Sequence, residues 1–398
     1  MDNLKQKIKS LSEEYYNDIV NIRRTIHANP ELAFEEYKTA ELIAAFLKKN
    51  NIEFQVGVAK TGVVALIKGK NPTKKTVALR ADMDALPIFE KNTIEYKSKN
   101  EGVMHACGHD VHTSSLLGTA KILNELKDQF EGTLKLVFQP SEEKYPGGAK
   151  VMIAEGVLEN PKPDVFFGQH VFPELDAGKV GMKSGKYMAS TDEIFITVNG
   201  KGGHGAIPHK NIDPVLISAH LITALQQIVS RNANPSMPTV LSFGRVIAEG
   251  QTNVIPDEVK LSGIMRTFDE DWRKEMKVRI KKMAESIAES MGGSCDVIFD
   301  QGYPFLVNDE EVTENARKYA IEYLGTENVV ELELRTTAED FAYFAQKVPA
   351  CFYRLGIRNE KMGITSNLHT ATFNVDESSL KTGMGLMAWM AIRELENV

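Results

Sequence analysis

The stretch His105-Ala106-Cys107-Gly108-His109-Asp110-Val111-His112-Thr113 places three histidines, a cysteine and an aspartate within nine residues. Imidazole nitrogen and thiolate sulfur are the donors that zinc and its first-row neighbours favour, and such density points to a metal site. Cys107 and His109 alternate, so on an extended or tightly turned backbone both can reach one centre. Two divalent ions about 3.5–4 Å apart need a ligand that bridges them, which a thiolate or carboxylate can do and a neutral imidazole cannot. His112 opens the following helix, which suits a cap or a support behind the ligands; His105 could be a ligand or such a support.

Further along, Glu142-Glu143 follow Pro140-Ser141, and Gly147-Gly148-Ala149 suit a tight turn into a helix. Adjacent carboxylates can be a solvated acidic loop. They can also divide labour, one holding metal while the other stays free as a base beside a metal-activated water. His170 falls just after a predicted strand over 164–167, at the strand end where ligands gather in open α/β sheets. His170 or His369 alone would be an ordinary core or surface histidine. Together with the Cys107 cluster and the paired glutamates they make the chain readable as a metal-dependent hydrolase.

Elements must hold these groups in place. Leu4, Ile8, Leu11, Tyr15, Ile19, Ile22 and Ile26 step by three and four, which is one face of an amphipathic helix. A second helix is predicted over 35–50, strands over 63–67, 77–80, 133–138 and 164–167, and a helix over 113–126. Strands alternating with helices imply an α/β layer with helices on both faces. The middle reads strand 193–198, helix 213–231, strands 239–247 and 259–268, helix 270–291 and strand 294–299. That order, β-α-β-β-α-β, is the ferredoxin-like pattern of a small α+β sandwich. The expected division is an α/β domain over 1–185 and 303–398 interrupted by an inserted domain over 186–302, with helices near 312–324 and 377–395 after the insertion.

A chain of 398 residues, 42% hydrophobic and 25% charged, has room for two domains and a large core without crosslinks. A net charge of −7 argues against nucleic acid as a partner, but one arginine can still bind a carboxylate substrate. Three cysteines, Cys107, Cys295 and Cys351, do not make a disulfide framework and suggest a reducing compartment. No basic start followed by an apolar run opens the chain, and no run of 18 apolar residues occurs, so the expectation is a cytoplasmic protein with no membrane span.

The chain resembles the dinuclear-metal amidohydrolases of the aminoacylase and carboxypeptidase type. It looks closest to the branch holding hippurate hydrolases, auxin-conjugate (IAA-amino acid) hydrolases and N-acetyldiaminopimelate deacetylases. The resemblance spans nearly the whole chain. It rests on Arg24-Thr25-Ile26-His27-Ala28-Asn29-Pro30-Glu31-Leu32, on Arg80-Ala81-Asp82-Met83-Asp84-Ala85-Leu86-Pro87, and on the His105–Thr113 cluster. Gln139-Pro140-Ser141-Glu142-Glu143 and Gly168-Gln169-His170 add to it, as do Gly202-Gly203-His204-Gly205-Ala206 and Thr252-Asn253-Val254-Ile255-Pro256-Asp257.

The resemblance implies a metallopeptidase-like catalytic domain whose insert is a lid and dimer surface. It implies two divalent ions per subunit, zinc or manganese foremost, with cobalt and nickel also compatible. Cys107 would bridge them, His109 and His170 would complete one site, and Glu143 and His369 the other. Glu142 would be the general base and Asp84 would orient a ligand, His109. Asp82 stands where more distant relatives have a histidine, a ligand that His109 would replace.

His204 would reach an active site, that of the partner subunit, and polarise the scissile carbonyl; Asn253 and Arg266 would grip a substrate carboxylate. Without the resemblance, Arg266 is an ordinary strand arginine, Asn253 a turn residue and His204 a loop residue. His209 and His220 read as structural. Leu368-His369-Thr370-Ala371 lacks the proline often found soon after this histidine in the family, which leaves the ligand but alters the loop.

The implied reaction is hydrolysis of N-acyl amino acids by a homodimer or tetramer. A dedicated N-acetyldiaminopimelate deacetylase and a dipeptidase or carboxypeptidase share the same metal chemistry. Two further readings are a metal-binding protein without catalysis and a hydrolase with Cys107 as nucleophile; the second would not need Glu143, His170 and His369.

Overall fold

The computed structural model describes residues 2–397. Its frame is an eight-stranded mixed sheet. The strands run in the order Glu53–Val58, Gly62–Lys68, Thr133–Gln139, Thr76–Asp82, Val165–Asp176, Ala350–Arg358, Val180–Met182, Val329–Glu331. The three strands from Thr133–Gln139 to Val165–Asp176 are parallel neighbours, and Ala350–Arg358 joins them in parallel. Thr76–Asp82 and Thr133–Gln139 are buried at every residue. That is the pattern of strands covered on both faces, and it encloses even Arg80, Asp82, Lys135 and Gln139.

Helices His109–Glu125 and Ser379–Glu396 pack on each other and on this sheet, through Leu116, Leu117, Ala120, Met384, Met387 and Ala388 of one continuous core. The N-terminal pattern forms two helices, Asp2–Glu14 and Tyr16–Ala28, instead of one. Tyr15 between them is buried and its hydroxyl bonds Glu125.

Two predicted features change in the fold. The strand expected at 164–167 runs Val165–Asp176, so His170 lies inside it. The pairing with Thr76–Asp82 stops at Arg80↔Gly168, but the pairing with Ala350–Arg358 continues through Arg354↔His170 and beyond. His170 therefore lies just past the carboxyl end of one neighbour while the other keeps it extended. Ala350–Arg358 itself was not anticipated. Eight of its nine residues are buried, so it shows no alternation to betray a strand.

The chain forms two compact units, one of residues 1–187, 307–333 and 340–398, the other of 188–306 and 334–339. The expected borders were 185 and 302. Residues 334–339 join the second unit because Ala189 N donates to Arg335 O and Thr337 O, a pairing between segments distant in sequence.

The second unit holds strands Asp192–Asn199, Val240–Ile247, Glu258–Arg266 and Ser294–Gln301, with helices Pro214–Gln227 and Glu270–Ser290. All strand pairings are antiparallel, and Asp192–Asn199 is central between Glu258–Arg266 and Ser294–Gln301. This is the ferredoxin-like sandwich. Ile194, Ile196, Val198, Leu261 and Met265 on the sheet meet Ile217, Leu221, Met276 and Ile280 on the helices.

Arg273 ties the start of this unit to its end. Its guanidinium bonds Asp192 at 2.6 and 2.9 Å, Thr191 O at 2.9 Å and Gly302 O at 3.1 Å, with both charged side chains essentially buried. Removing one partner of such a pair leaves the other charge buried, at about 3–5 kcal/mol. Arg273→Ala is expected toward the low end of that range because Lys277 Nζ still lies 2.8 Å from Asp192. Denaturant unfolding of the two proteins measures it.

Candidate metal centre

Gly108 explains the spacing of Cys107 and His109. It has φ +82°, and a Cβ there would lie 2.5 Å from Val171 Cγ2, so only glycine lets the chain pass from Cys107 into helix His109–Glu125 against the neighbouring strand. Cys107 and His109 are thereby presented from a loop end and a helix start.

Ligand atoms of Cys107, His109 and His170 lie within 4.8 Å of one another, and so do those of Cys107, Glu143 and His369. Cys107 is common to both groups. A third group, His109, Glu142 and Glu143, meets the same limit and places the second carboxylate beside the first two sets. Cys107, His109 and His170 are buried, whereas the His369 side chain is 52% exposed, so the cluster opens to solvent on the His369 side.

The supporting hydrogen bonds fix which nitrogen of each ring faces the cluster. Asp84 Oδ1 lies 3.1 Å from His109 Nδ1 and Asp84 Oδ2 accepts from Glu143 N at 2.9 Å, so one carboxylate sets both residues. His109 Nδ1–H donates to Asp84, so Nε2 is the nitrogen that faces the cluster and would offer its lone pair to a bound ion. His170 Nδ1 donates to Val171 O at 2.8 Å and its Nε2 lies 3.5 Å from Cys107 Sγ. Val171 N donates to His112 Nε2 at 2.8 Å, and His112 Nδ1 bonds Asp82. His112 is thus a support behind His170. His369 N donates to Ala106 O at 2.8 Å, binding its loop to the Cys107 segment.

These residues fit a cation. His109 Nε2 and Glu143 Oε1 are buried with no hydrogen-bond partner, 4.0 Å apart, and His369 Nε2 stands 3.1 Å from the same Glu143 oxygen. A carboxylate oxygen and two ring nitrogens gathered this closely call for positive charge among them, a proton on a ring or a bound cation. Protonation behaviour agrees. Burial alone would lower His109, but Asp82, Asp84 and Glu143 outweigh it and push its imidazole up to about 10. Burial, aided by Glu143, Glu142 and Asp82, drives the Cys107 thiol well up. Burial, with Arg354 next, holds His170 well down, so its ring is neutral and free to donate a lone pair. The pocket favours positive charge and would give up the thiol proton to a metal.

His105 is buried with neither ring nitrogen hydrogen-bonded, and it belongs to none of the converging groups. His204 and Asn253 come together in the second unit. His204 lies opposite Val254 in a two-stranded ribbon, and Gly205 N donates to Asn253 O at 2.9 Å; both residues are exposed. Arg266 ends strand Glu258–Arg266, paired with Val240 in the four-stranded sheet, and is half-buried. Sequence reading passed over Asp82 as a partner of His112, and over Glu36. Spacing alone does not pair Asp82 with His112, or Glu36 with Thr61 and Ser141, because these partners lie far along the chain.

Asp84 offers a direct test. Asp84→Asn keeps the shape but cannot accept equally from His109 and Glu143 N. Such outer partners contribute about 10–100-fold to metal affinity, and a loss of that size is expected by calorimetric titration of the metal-free protein.

The chain belongs to peptidase family M20/M25/M40, whose model matches residues 78–393. It is 42% identical over 393 residues to thermostable carboxypeptidase 2 of Saccharolobus solfataricus, covering 98% of each chain. It is 45% identical over 308 residues to an N-acyl-L-amino acid amidohydrolase of Geobacillus stearothermophilus, covering 77% of this chain and 82% of that one. Among solved structures it matches a dinuclear metal-binding peptidase of the M20 family from Bacillus subtilis, with TM-score 0.84 and 34% identity over 97% of this chain and 100% of that one. The chain is a hydrolase of amide bonds with an M20-type fold.

Proposed function

We propose that this protein hydrolyses N-acyl-L-amino acids, releasing a free amino acid and a carboxylic acid. The observation that carries the reading is the third ligand group, where Glu142 stands, buried, beside His109 of one Cys107 group and Glu143 of the other. Cys107 would lie between two divalent ions, with His109 and His170 on one and Glu143 and His369 on the other. When bound, such ions activate a water and polarise the amide carbonyl. Glu142 takes the proton of the attacking water on a carboxylate oxygen and returns it to the leaving nitrogen. Asp84 keeps His109 in the tautomer that donates Nε2.

His204 would polarise the carbonyl oxygen from the inserted domain of a second subunit, and Asn253 and Arg266 would hold the substrate carboxylate by charge-assisted hydrogen bonds. The insert acts as lid and dimer surface in this reading. Its edge strand Val240–Ile247 pairs on one side only, which suits addition of a second copy. The three cysteines are unpaired, as in a reducing cytoplasm, and among the described residues no helix is long and apolar enough to cross a membrane.

The test is release of free amino acid by the metal-reconstituted protein. The panel holds N-acetyl, N-benzoyl and indole-acetyl amino acids, N-acetyldiaminopimelate and dipeptides. Turnover of an N-acyl class that falls when the substrate carboxylate is amidated supports the proposal. Turnover confined to dipeptides would replace it with the peptidase reading that the Saccharolobus relative's name fits.

A further inference from the structure

Three loops of the catalytic unit meet at one buried carboxylate that lies outside the ligand set. Glu36 has no exposed surface. Its Oε1 accepts from Phe34 N at 2.9 Å and from Ser141 N at 2.8 Å, and its Oε2 accepts from Thr61 Oγ1 at 2.6 Å. All three donors are neutral, so no cation offsets the burial, and the group is pushed up to about 7. A carboxyl group kept in such a place must be repaid by what its hydrogen bonds hold.

What they hold is backbone in a costly conformation. Phe34 has φ +62° and Ser141 φ +52°, both in the left-handed region. Residues other than glycine stay there only where the surroundings over-determine them. One oxygen of Glu36 fixes both.

Ser141 is the residue before Glu142, so its conformation sets the direction in which Glu142 and Glu143 leave strand Thr133–Gln139. Other ties of this loop include Gly148 N to Ser141 O at 2.7 Å, Ser141 Oγ to Lys144 O at 3.2 Å and Glu143 N to Asp84 at 2.9 Å. Glu36 and Asp84 thus hold the carboxylate pair from either side, one through the amide before it and one through the amide of its second member.

We infer that Glu36 is a positioning residue for the Glu142–Glu143 pair, acting through the Ser141 amide; the catalytic part of this rests on the function proposed above. The rival account is that Glu36 only stabilises its own turn and the fold. The two separate in what the full-length variants E36A, E36D and E36Q do.

In E36A the Ser141 amide loses its acceptor. Hydrogen exchange over residues 139–148 should quicken, and titration with zinc should weaken one of two sites by about 10–100-fold. On the best panel substrate kcat should fall by a similar factor, about 10–100-fold, with KM changed by less than about threefold. E36D keeps the charge but is one methylene short of spanning Thr61 and Ser141, so it should shift the same three readouts in the same direction. It serves if E36A does not fold. E36Q keeps Oε1 as acceptor for both amides and can donate its Nε2–H to Thr61 Oγ1, so it should bring all three readouts back to within about threefold of the parent.

A folded E36A or E36D with a lowered melting temperature but unchanged zinc affinity and kcat overturns the inference. So does an E36Q as impaired as E36A. If the parent protein turns over nothing on the panel, the proposed function fails, while zinc affinity and hydrogen exchange still decide the role of Glu36.

Discussion

Glu142→Gln should lower kcat by about 10²–10⁴-fold, the share ordinarily carried by a positioned general base, while leaving two metal ions bound. That is about 3–5.5 kcal/mol of barrier. The amide has nearly the volume of the carboxylate, so the nearly buried site need not repack. It cannot accept a proton at neutral pH, so the water keeps its proton and the leaving nitrogen receives none. Metal content should hold because Cys107, His109, His170, Glu143 and His369 are untouched, and the groups that converge on Cys107 do not include Glu142. KM should move little if the substrate carboxylate is held elsewhere. Steady-state kinetics and metal analysis on the same preparation make the check. A variant carrying two metals and turning over at the parent rate would remove Glu142 from the mechanism and leave the proposal without a base.

How far the sequence led can be traced through particular residues. Cys107, His109, Glu142 and Glu143 were legible because their types and spacing are local: two alternating soft donors, and two adjacent carboxylates after a proline. The ferredoxin-like insert was legible because its two-sided sandwich writes alternation into Asp192–Asn199, whose burial alternates along its length. The catalytic sheet was harder. Ala350–Arg358 lies inside the sheet and is buried at all but its last residue, so no alternation in its pattern separates it from a helix segment. His170 was placed after a strand instead of within one because a single sequence does not reveal that a second partner strand continues the ladder.

The supports were the least legible part. His112 rests on Asp82 and holds Val171, and Glu36 bonds Thr61 and Ser141, all across wide gaps in sequence. Local periodicity carries no trace of such pairs. The return of residues 334–339 to the second unit was invisible for the same reason.

Cys107→Ala and Cys107→Asp should part company, and the gap between them decides what the cysteine is for. Alanine removes the one group common to the two ligand sets. The loss should exceed the roughly 100-fold upper range seen for mere outer partners, with fewer than two metals retained. Aspartate restores a short anionic side chain able to bridge two ions, so it should recover at least about tenfold of the activity lost in the alanine variant. A hydrolase using Cys107 as nucleophile predicts otherwise, since neither alanine nor aspartate offers a thiol. The environment already opposes that role. A nucleophilic cysteine needs a lowered pKa, usually from a cation or helix terminus. Here burial comes first, and then Glu143, Glu142 and Asp82, and all of them drive the thiol well up. Only a bound cation reverses that balance, and a thiolate shared by two cations is a ligand with little nucleophilicity left. Removal of metal by a chelator should therefore abolish turnover with Cys107 intact, and adding back zinc or manganese should restore it. Turnover that survives complete metal removal would return the cysteine to the role of nucleophile.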